Sequence, residues 1–415
     1  MGIVERIKTI ELELSRTQLN KATSSHVGML KSQLARLRSE LLLPGPGDSN
    51  AGGHEGFAVA KNGDGRVALI GFPSVGKSSI LSELTDTKSE CAAYEFTTLT
   101  CIPGNLVVND TKIQMLDLPG IIEGAAHGKG RGREVIAVAR SSDLIMMVLD
   151  GVKESNNQHR NILTTELETV GIRLNQSPPD IYFKRKPGGG IKFNATVPLT
   201  KMGDNPGDLV YKILHGYRIH NAEVLFRADH SVDEFIDIVE GNRKYVKCMY
   251  VYNKIDTLSI EEVDALARQP FSVVISVYMK LNLDLLLYKM WEMMGLMRVY
   301  TKKRGQEPDL SGPVVLSTQR HGTSVSAACR SISKNMLENF NFALVWGRSV
   351  KFSPQRVGLQ HVMADEDVLQ VVPKTYVQQK QSKNYNEKVA AYNAQVSKNR
   401  KKLRGIKQPS GTSIL

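Results

Sequence analysis

The chain is predicted to be an α/β protein. It combines a doubly wound, mostly parallel sheet with a helical N-terminal region, a small inserted α+β subdomain and a compact β-rich C-terminal module. Three observations predict this. Short apolar runs alternate with helical patterns after Gly65, each run ends on a polar motif, and the stretch from Gly171 to Gly241 breaks the alternation. Strands that deliver polar residues at their C-terminal ends gather a ligand at that edge of the sheet.

Residues 3–42 carry two amphipathic helical patterns. Ile3, Ile7 and Ile10 lead toward Leu14, and Leu30, Leu34, Leu37 and Leu41 recur at helical spacing. Thr23, Ser24 and Ser25 suit the cap of the second helix. The pair is expected to form an antiparallel hairpin packed on its own protein; the competing reading is an exposed hairpin facing a partner. Pro44, Gly45, Pro46, Gly47, Gly52 and Gly53 make a linker. Strands are then expected at Arg66–Ile70, Lys112–Leu116, Leu144–Leu149, Val246–Tyr252 and Ser272–Ile275, with a helix over Ser78–Leu84. The third is almost wholly apolar, as a parallel strand covered on both faces must be.

Inside the interruption, Ile181-Tyr182-Phe183 and Ile191-Lys192-Phe193 flank Lys186-Pro187-Gly188-Gly189-Gly190, which predicts a hairpin. Val210–Leu214 and Val232–Ile238 are expected to be helical. The expected organisation is 1–62 helical hairpin and linker, 63–170 and 241–297 the two parts of the sheet domain, 171–240 the insert, 298–375 the β-rich module, and 376–415 a basic tail.

Composition narrows the class. A chain of 415 residues exceeds one ordinary core, and 41% hydrophobic with 23% charged residues is the make-up of a soluble globular protein. No apolar run approaches the roughly 18 residues of a membrane span. Glu5, Arg6, Lys8, Glu11 and Glu13 argue against a signal peptide, and Arg6 occupies the position where myristoylation wants Ser or Thr. Cys91, Cys101, Cys248 and Cys329 are too scattered for a metal or redox pair, which fits reduced thiols and a cytoplasmic location without membrane contact. The net charge is +12, yet residues 376–415 hold nine Lys/Arg against one Glu. The basicity is mostly a tail. Its cluster Lys398, Arg400, Lys401, Lys402 and Arg404 suits either a nonspecific RNA contact or a solvated end.

The chemistry sits in four motifs. Gly71-Phe72-Pro73-Ser74-Val75-Gly76-Lys77-Ser78 follows a strand and opens a helix, the context of a phosphate loop. Backbone N–H groups and the helix N-terminus would hold phosphate oxygens, with Ser79 in the same first turn. Lys77 would reach the β- and γ-phosphates and Ser78 would ligate Mg²⁺. Asp117 ends the next strand, where its carboxylate suits Mg²⁺, and the Gly120 N–H can meet the γ-phosphate. Asn253-Lys254-Ile255-Asp256 selects the base: the Asp256 carboxylate accepts from guanine N1–H and the exocyclic amine together. Adenine offers neither donor there, and such a mismatch costs a factor of roughly 10⁴ or more. Ser276, with Val277 beside it, would support the base from its other side.

Between the first two motifs, one threonine of Thr97-Thr98 would close over Mg²⁺ in the triphosphate state, with Thr98 favoured. Ile121 follows Gly120 where many regulatory GTPases place a water-orienting Gln, so hydrolysis should be slow; no general base is identified. Gly124, Gly128, Gly130 and Gly132 predict a mobile second switch, in which Arg131 or Arg133 either acts as a finger in cis or is solvated.

The phosphate loop, Tyr94–Thr98 and the run Asp117–Gly132 resemble the Obg-related GTPases. Arg16-Thr17-Gln18, Gly171-Ile172-Arg173-Leu174-Asn175 and Tyr300-Thr301-Lys302-Lys303-Arg304-Gly305-Gln306 narrow the resemblance to the developmentally regulated GTP-binding proteins. Tyr182-Phe183-Lys184 and Ser353-Pro354-Gln355-Arg356-Val357 look closer to the second eukaryotic paralogue. The resemblance implies a P-loop GTPase core, a C-terminal TGS module of β-grasp type, slow GTP hydrolysis, association with ribosomes in translation, and an RWD-type stabilising partner. The alternative is an RNA- or ribosome-binding scaffold in which hydrolysis is incidental. Ser276-Val277 stands where Ser followed by Ala or Cys is usual, Ser79 where Thr is frequent, and the tail from Tyr376 extends beyond the family's normal end. Some members are stimulated by K⁺, a second candidate cation, which related enzymes hold with an Asn where this chain has Ser74. Ser74 therefore predicts equal GTP turnover in K⁺ and Na⁺ buffers; faster turnover in K⁺ would establish the ion.

Overall fold

The computed structural model describes residues 3–18, 20, 23–42, 63–85, 102–118, 138–153, 158–203, 205–318 and 322–375. These divide into two compact units that part between Gly295 and Leu296.

The first unit is organised by a seven-stranded sheet. In chain order its strands are β1 (Gly65–Ile70), β2 (Ile102–Val108), β3 (Thr111–Asp117), β4 (Leu144–Asp150), β5 (Ile172–Leu174), β9 (Lys244–Asn253) and β10 (Ser272–Val274). The spatial order is β10-β9-β4-β1-β3-β2, with β5 on the N-terminal part of β9. All pairings are parallel except β2 with β3. β1 and β4 are buried at every position, which is why their sequences are continuous apolar runs rather than alternations. In β9, Cys248 is fully buried, and burial pushes its thiol up to about 12. The edge strand β2 has no counterpart in the sequence reading. β5 extends the main sheet past Gly171, because Ile172 and Leu174 are buried in the core of that sheet.

Helices α3 (Lys77–Leu84), α4 (Gln158–Thr169), α7 (Ile260–Ala267) and α8 (Leu283–Met294) follow strands of this sheet. α7 starts with a capping box, the Ser259 hydroxyl accepting from Glu262 N–H while the Glu262 carboxylate accepts from Ser259 N–H.

The insert contains β6 (Ile181–Arg185), β7 (Ile191–Ala195), α5 (Pro206–Gly216), β8 (Ala222–Phe226) and α6 (Val232–Glu240). The predicted hairpin does not form. β8 lies between the two arms, antiparallel to β6 and parallel to β7, in the order β6-β8-β7. The reason is burial: Ala222, Val224 and Phe226 of β8 are fully covered, whereas β6 and β7 bury little and suit the sheet's edges. The inner face packs with Phe235, Leu209 and Val210 into a separate core.

The N-terminal helices α1 (Ile3–Arg16) and α2 (Ser24–Leu42) pack on each other, and α2 also packs on α5 and α6. The self-packed hairpin is the arrangement adopted. Gly28 allows the approach, since a Cβ there would lie 2.8 Å from Leu209 Cδ1. Tyr217 Oη donates to Ser32 O at 3.1 Å, and Lys31 pairs with Asp233 at 2.6 Å.

The second unit has strands β11 (Leu296–Lys302), β12 (Pro308–Ser317), β13 (Phe340–Trp346), β14 (Gln355–Val357) and β15 (Asp367–Pro373). They order as β12-β11-β15-β13-β14, with β11 and β15 parallel at the centre. Helix α9 (Val325–Ile332) supplies Val325, Ala328 and Cys329 to the core, and α10 (Lys334–Glu338) follows it. Asp367 is fully buried and accepts from the N–H groups of Arg348 and Ala364, so its carboxylate organises the turn at Gly347.

One buried ionic cluster ties insert to sheet. Asp237 of α6 accepts from Arg173 Nε (2.6 Å) and Nη2 (2.8 Å) of β5, and from Arg243 Nε (3.0 Å) just before β9. Its side chain is 4% exposed. Asp237→Ala would leave two guanidinium groups facing each other without their counter-charge. The expected loss is about 3–5 kcal/mol of stability, read as a lower urea midpoint by circular dichroism; a loss under about 1 kcal/mol would show the cluster to be dispensable.

Candidate nucleotide site

The polar motifs meet at the C-terminal edge of the sheet. Register places Asp117 beside Leu69 and Asn253 beside Asp150, so β1, β3, β4 and β9 present their motifs side by side. The phosphate loop leaves β1 at Gly71, where a Cβ would lie 2.3 Å from Val148 O. Ser74 (φ 67°) and Gly76 (φ 99°) both take the left-handed conformation before α3 begins at Lys77. Phe72 is half-buried against His159 of α4, with ring centroids 4.8 Å apart, while Pro73 is exposed. Val75 is buried.

Lys77 is buried, and its Nζ donates to Gly71 O and Phe72 O, both at 2.9 Å. Desolvation lowers its pKa, and the nearby Asp117 carboxylate partly offsets that. Ser78 Oγ donates to Asp117 Oδ2 at 2.6 Å. Asp117 Oδ1 is buried and has no hydrogen-bond partner among the described residues, an arrangement that ordinarily requires explanation. A hard divalent cation provides one: the hydroxyl and carboxylate oxygens are the donor type that Mg²⁺ takes, so the residues present fit that ion. Ser79 is exposed beside Ser78 in the first turn of α3.

Asn253 is the junction. It is 4% exposed, and its Nδ2 donates to Val75 O at 2.9 Å. Its Oδ1 accepts from Lys254 N–H (2.9 Å) and Val277 N–H (3.2 Å). One carboxamide therefore holds the phosphate loop on one side and the Ser276-Val277 segment on the other. Lys254 adopts φ 67°, and its Nζ pairs with Asp150 Oδ2 at 2.8 Å. Asp150 is a functional candidate that the sequence reading missed. It ends an apolar strand at the same edge as Asp117, and that pattern was the available signal.

Asp256 is exposed in a short 3-10 turn, Ile255–Thr257, and its Oδ1 accepts from Ser276 Oγ at 2.6 Å. Ser276 is fully buried and also accepts from Met279 N–H at 3.2 Å. Its side chain thus fixes the Asp256 carboxylate, a positioning role that sequence spacing did not reveal. Gly120, Thr97, Thr98, Ile121, Arg131, Arg133 and the glycines at 124, 128, 130 and 132 lie outside the described residues, as do the linker glycines, Cys91, Cys101 and the basic tail.

A phosphate loop, an acidic strand end and an Asn-Lys-x-Asp turn gathered at one sheet edge define a GTPase of the phosphate-loop class. A family model described as a 50S ribosome-binding GTPase matches residues 66–184. A model of the C-terminal region of that domain matches 188–296, and a TGS domain model matches 297–373. The developmentally-regulated G-protein 2 of Arabidopsis thaliana is 61% identical over 374 residues, spanning 90% of this chain and 92% of its own length. The human developmentally-regulated GTP-binding protein 2 is 59% identical over 90% of this chain and 100% of its own. The chain belongs to the developmentally regulated GTP-binding protein family. Among solved structures, the YchF GTPase of Schizosaccharomyces pombe aligns with 75% of this chain and 98% of its own, at 12% identity and a TM-score of 0.40.

Gly76→Ala tests the junction. Its Cβ would lie 2.4 Å from Asn253 Nδ2 and would force a left-handed alanine. GTP affinity should fall by roughly tenfold or more through the strained loop, with the far-UV spectrum unchanged. Isothermal titration showing wild-type affinity would remove Asn253 from its place as loop clamp.

Proposed function

We propose that this GTP-binding protein is a slow hydrolytic switch that engages the ribosome during translation, in the cytoplasm. The observation that supports the switch best is the Asn253 carboxamide, which makes phosphate loop and base turn a single preassembled unit. Guanine is read by the Asp256 carboxylate, held by Ser276 and flanked by Val277 and Lys254. Lys77 exchanges its Gly71 and Phe72 carbonyl partners for β- and γ-phosphate oxygens, a move made easier because it is already desolvated at the loop. The loop N–H groups from Gly71 to Ser79 (Pro73 has none) and the start of α3 take the remaining phosphate charge. Ser78 and Asp117 would hold Mg²⁺, which when bound neutralises phosphate charge. The Gly120 N–H is assigned to the γ-phosphate, and Thr98, or Thr97, closes the triphosphate state.

Among the described residues no side chain stands as a general base, and Ile121 lacks a carboxamide to orient water. Slow intrinsic turnover follows, with acceleration left to a bound partner. The ribosome is inferred from the matching family model's description and from a net charge of +12 suited to a polyanion. An RWD-type stabilising protein is the second partner assigned.

Asp256→Asn tests the base reading. The carboxylate's two guanine contacts are lost, and GTP affinity should drop on the order of 100-fold or more while a phosphate-loop contact persists. Ribosome co-sedimentation should then lose its difference between a non-hydrolysable GTP analogue and GDP. Unchanged GTP preference would overturn the Asp256 assignment, and wild-type chain that never sediments with ribosomes would overturn the target.

A further inference from the structure

The inserted sheet has two faces of different chemistry. The inner face, with Ile181, Val224 and Phe226, is core. On the outer face, register sets Tyr182 opposite Leu225 and Leu225 opposite Asn194. The next row is Lys184, Glu223 and Lys192. Tyr182 is 41% exposed, and Lys184, Lys192 and Asn194 are exposed too. Residues 181–203 contain five Lys/Arg (Lys184, Arg185, Lys186, Lys192, Lys201) and no Asp or Glu.

Glu223 is the one carboxylate within the three strands of this sheet, and Lys186 pairs with it. Lys186 first, then Lys192 and Lys184, hold its carboxyl below the usual range. Three ammonium groups therefore share one negative charge, leaving an excess of two. The turn beside them is unobstructed: a Cβ on Gly188, Gly189 or Gly190 would meet nothing within 4 Å.

We propose that this outer face binds single-stranded RNA through its sugar–phosphate backbone, with Lys184 and Lys192 on phosphates and Tyr182 stacking on a base. The proposal rests on the ribosome-directed reading above and assigns it a surface. A lysine pair beside an exposed ring on an open sheet is the combination by which proteins track single strands without reading sequence. A protein partner is less well served, because Leu225 is half-buried and the face offers no contiguous apolar centre around which a hot spot could form.

The test is fluorescence anisotropy of the full chain with a fluorescein-labelled oligouridylate across a KCl series. Lys184→Glu/Lys192→Glu should weaken binding by roughly tenfold or more and flatten the salt slope by about 1.4, as two lost phosphate contacts require. Tyr182→Ala should weaken it roughly 5- to 100-fold. GTP affinity should stay unchanged in both, which reports intact folding. Arg268→Glu/Lys289→Glu, an equal charge change at an exposed and a half-exposed position elsewhere, should have a much smaller effect.

Equal losses in the two double variants would reduce the effect to net charge and overturn the proposal. So would wild-type affinity in the face variants, or lost binding of poly-glutamate with oligouridylate binding retained, which would assign the face to an acidic protein. If the wild-type chain sediments with ribosomes while the face variants bind RNA normally, the face fails and the ribosome reading stands. If oligouridylate binding is lost in the variants but wild type never sediments with ribosomes, the ribosome reading fails and the face stands.

Discussion

The nucleotide site depends on one buried carboxamide. Asn253 donates to the phosphate loop at Val75 and accepts from the backbone at Val277, so three segments far apart in sequence share a single hub. An amide suits this place, because the hub needs a donor on one side and an acceptor for two N–H groups on the other. A carboxylate at this position would face Val75 O with no proton to give, and a buried unmatched pair costs about 1–3 kcal/mol. The glycine at 76 is the complement of this arrangement, since any side chain there would occupy the place of the amide nitrogen.

Around that hub the described polar side chains are paired in a way that leaves an opening at Asp117. Lys254 is matched by Asp150, and Ser78 by one oxygen of Asp117. Among the described residues the other Asp117 oxygen is buried and unmatched, which marks where positive charge is wanted. Lys77 is satisfied by carbonyls of its own loop rather than by a carboxylate. Neutral acceptors hold it more weakly than an ion pair would, so it remains available to phosphate.

Much of this was legible in the sequence, for a physical reason. Parallel strands buried on both faces, such as β1 and β4, must be unbroken apolar runs, and the residues ending them stand out against that background. The positions of the phosphate loop, Asp117, Asn253 and Ser276 at strand ends are legible in this way. Local signals failed where the pairing was distant. Lys186–Gly190 has the composition of a hairpin turn, yet β8 enters between its two arms because its alternate residues bury best, and that competition is decided in the fold rather than in the loop. β2 escaped notice because Pro103, Gly104 and Asn105 are poor strand formers, tolerated at an edge. Asp150 was a lone acid without a motif, and the bond from Ser276 to Asp256 is tertiary, with no trace in spacing.

The ten residues of β9 carry a consequence of their own. Lys244 at one end receives the chain as it returns from the insert, beside the Arg173–Asp237–Arg243 cluster. Asn253 at the other end clamps the nucleotide loops. The strand is thus a ruler about 30 Å long at roughly 3.3 Å per residue, gauged by β4 and β10 on either side. A slip of one mark would draw Asn253 about 3.3 Å off Val75, farther than the 2.9 Å bond that joins them. What seats on the insert and what sits in the phosphate loop are therefore measured from the same scale.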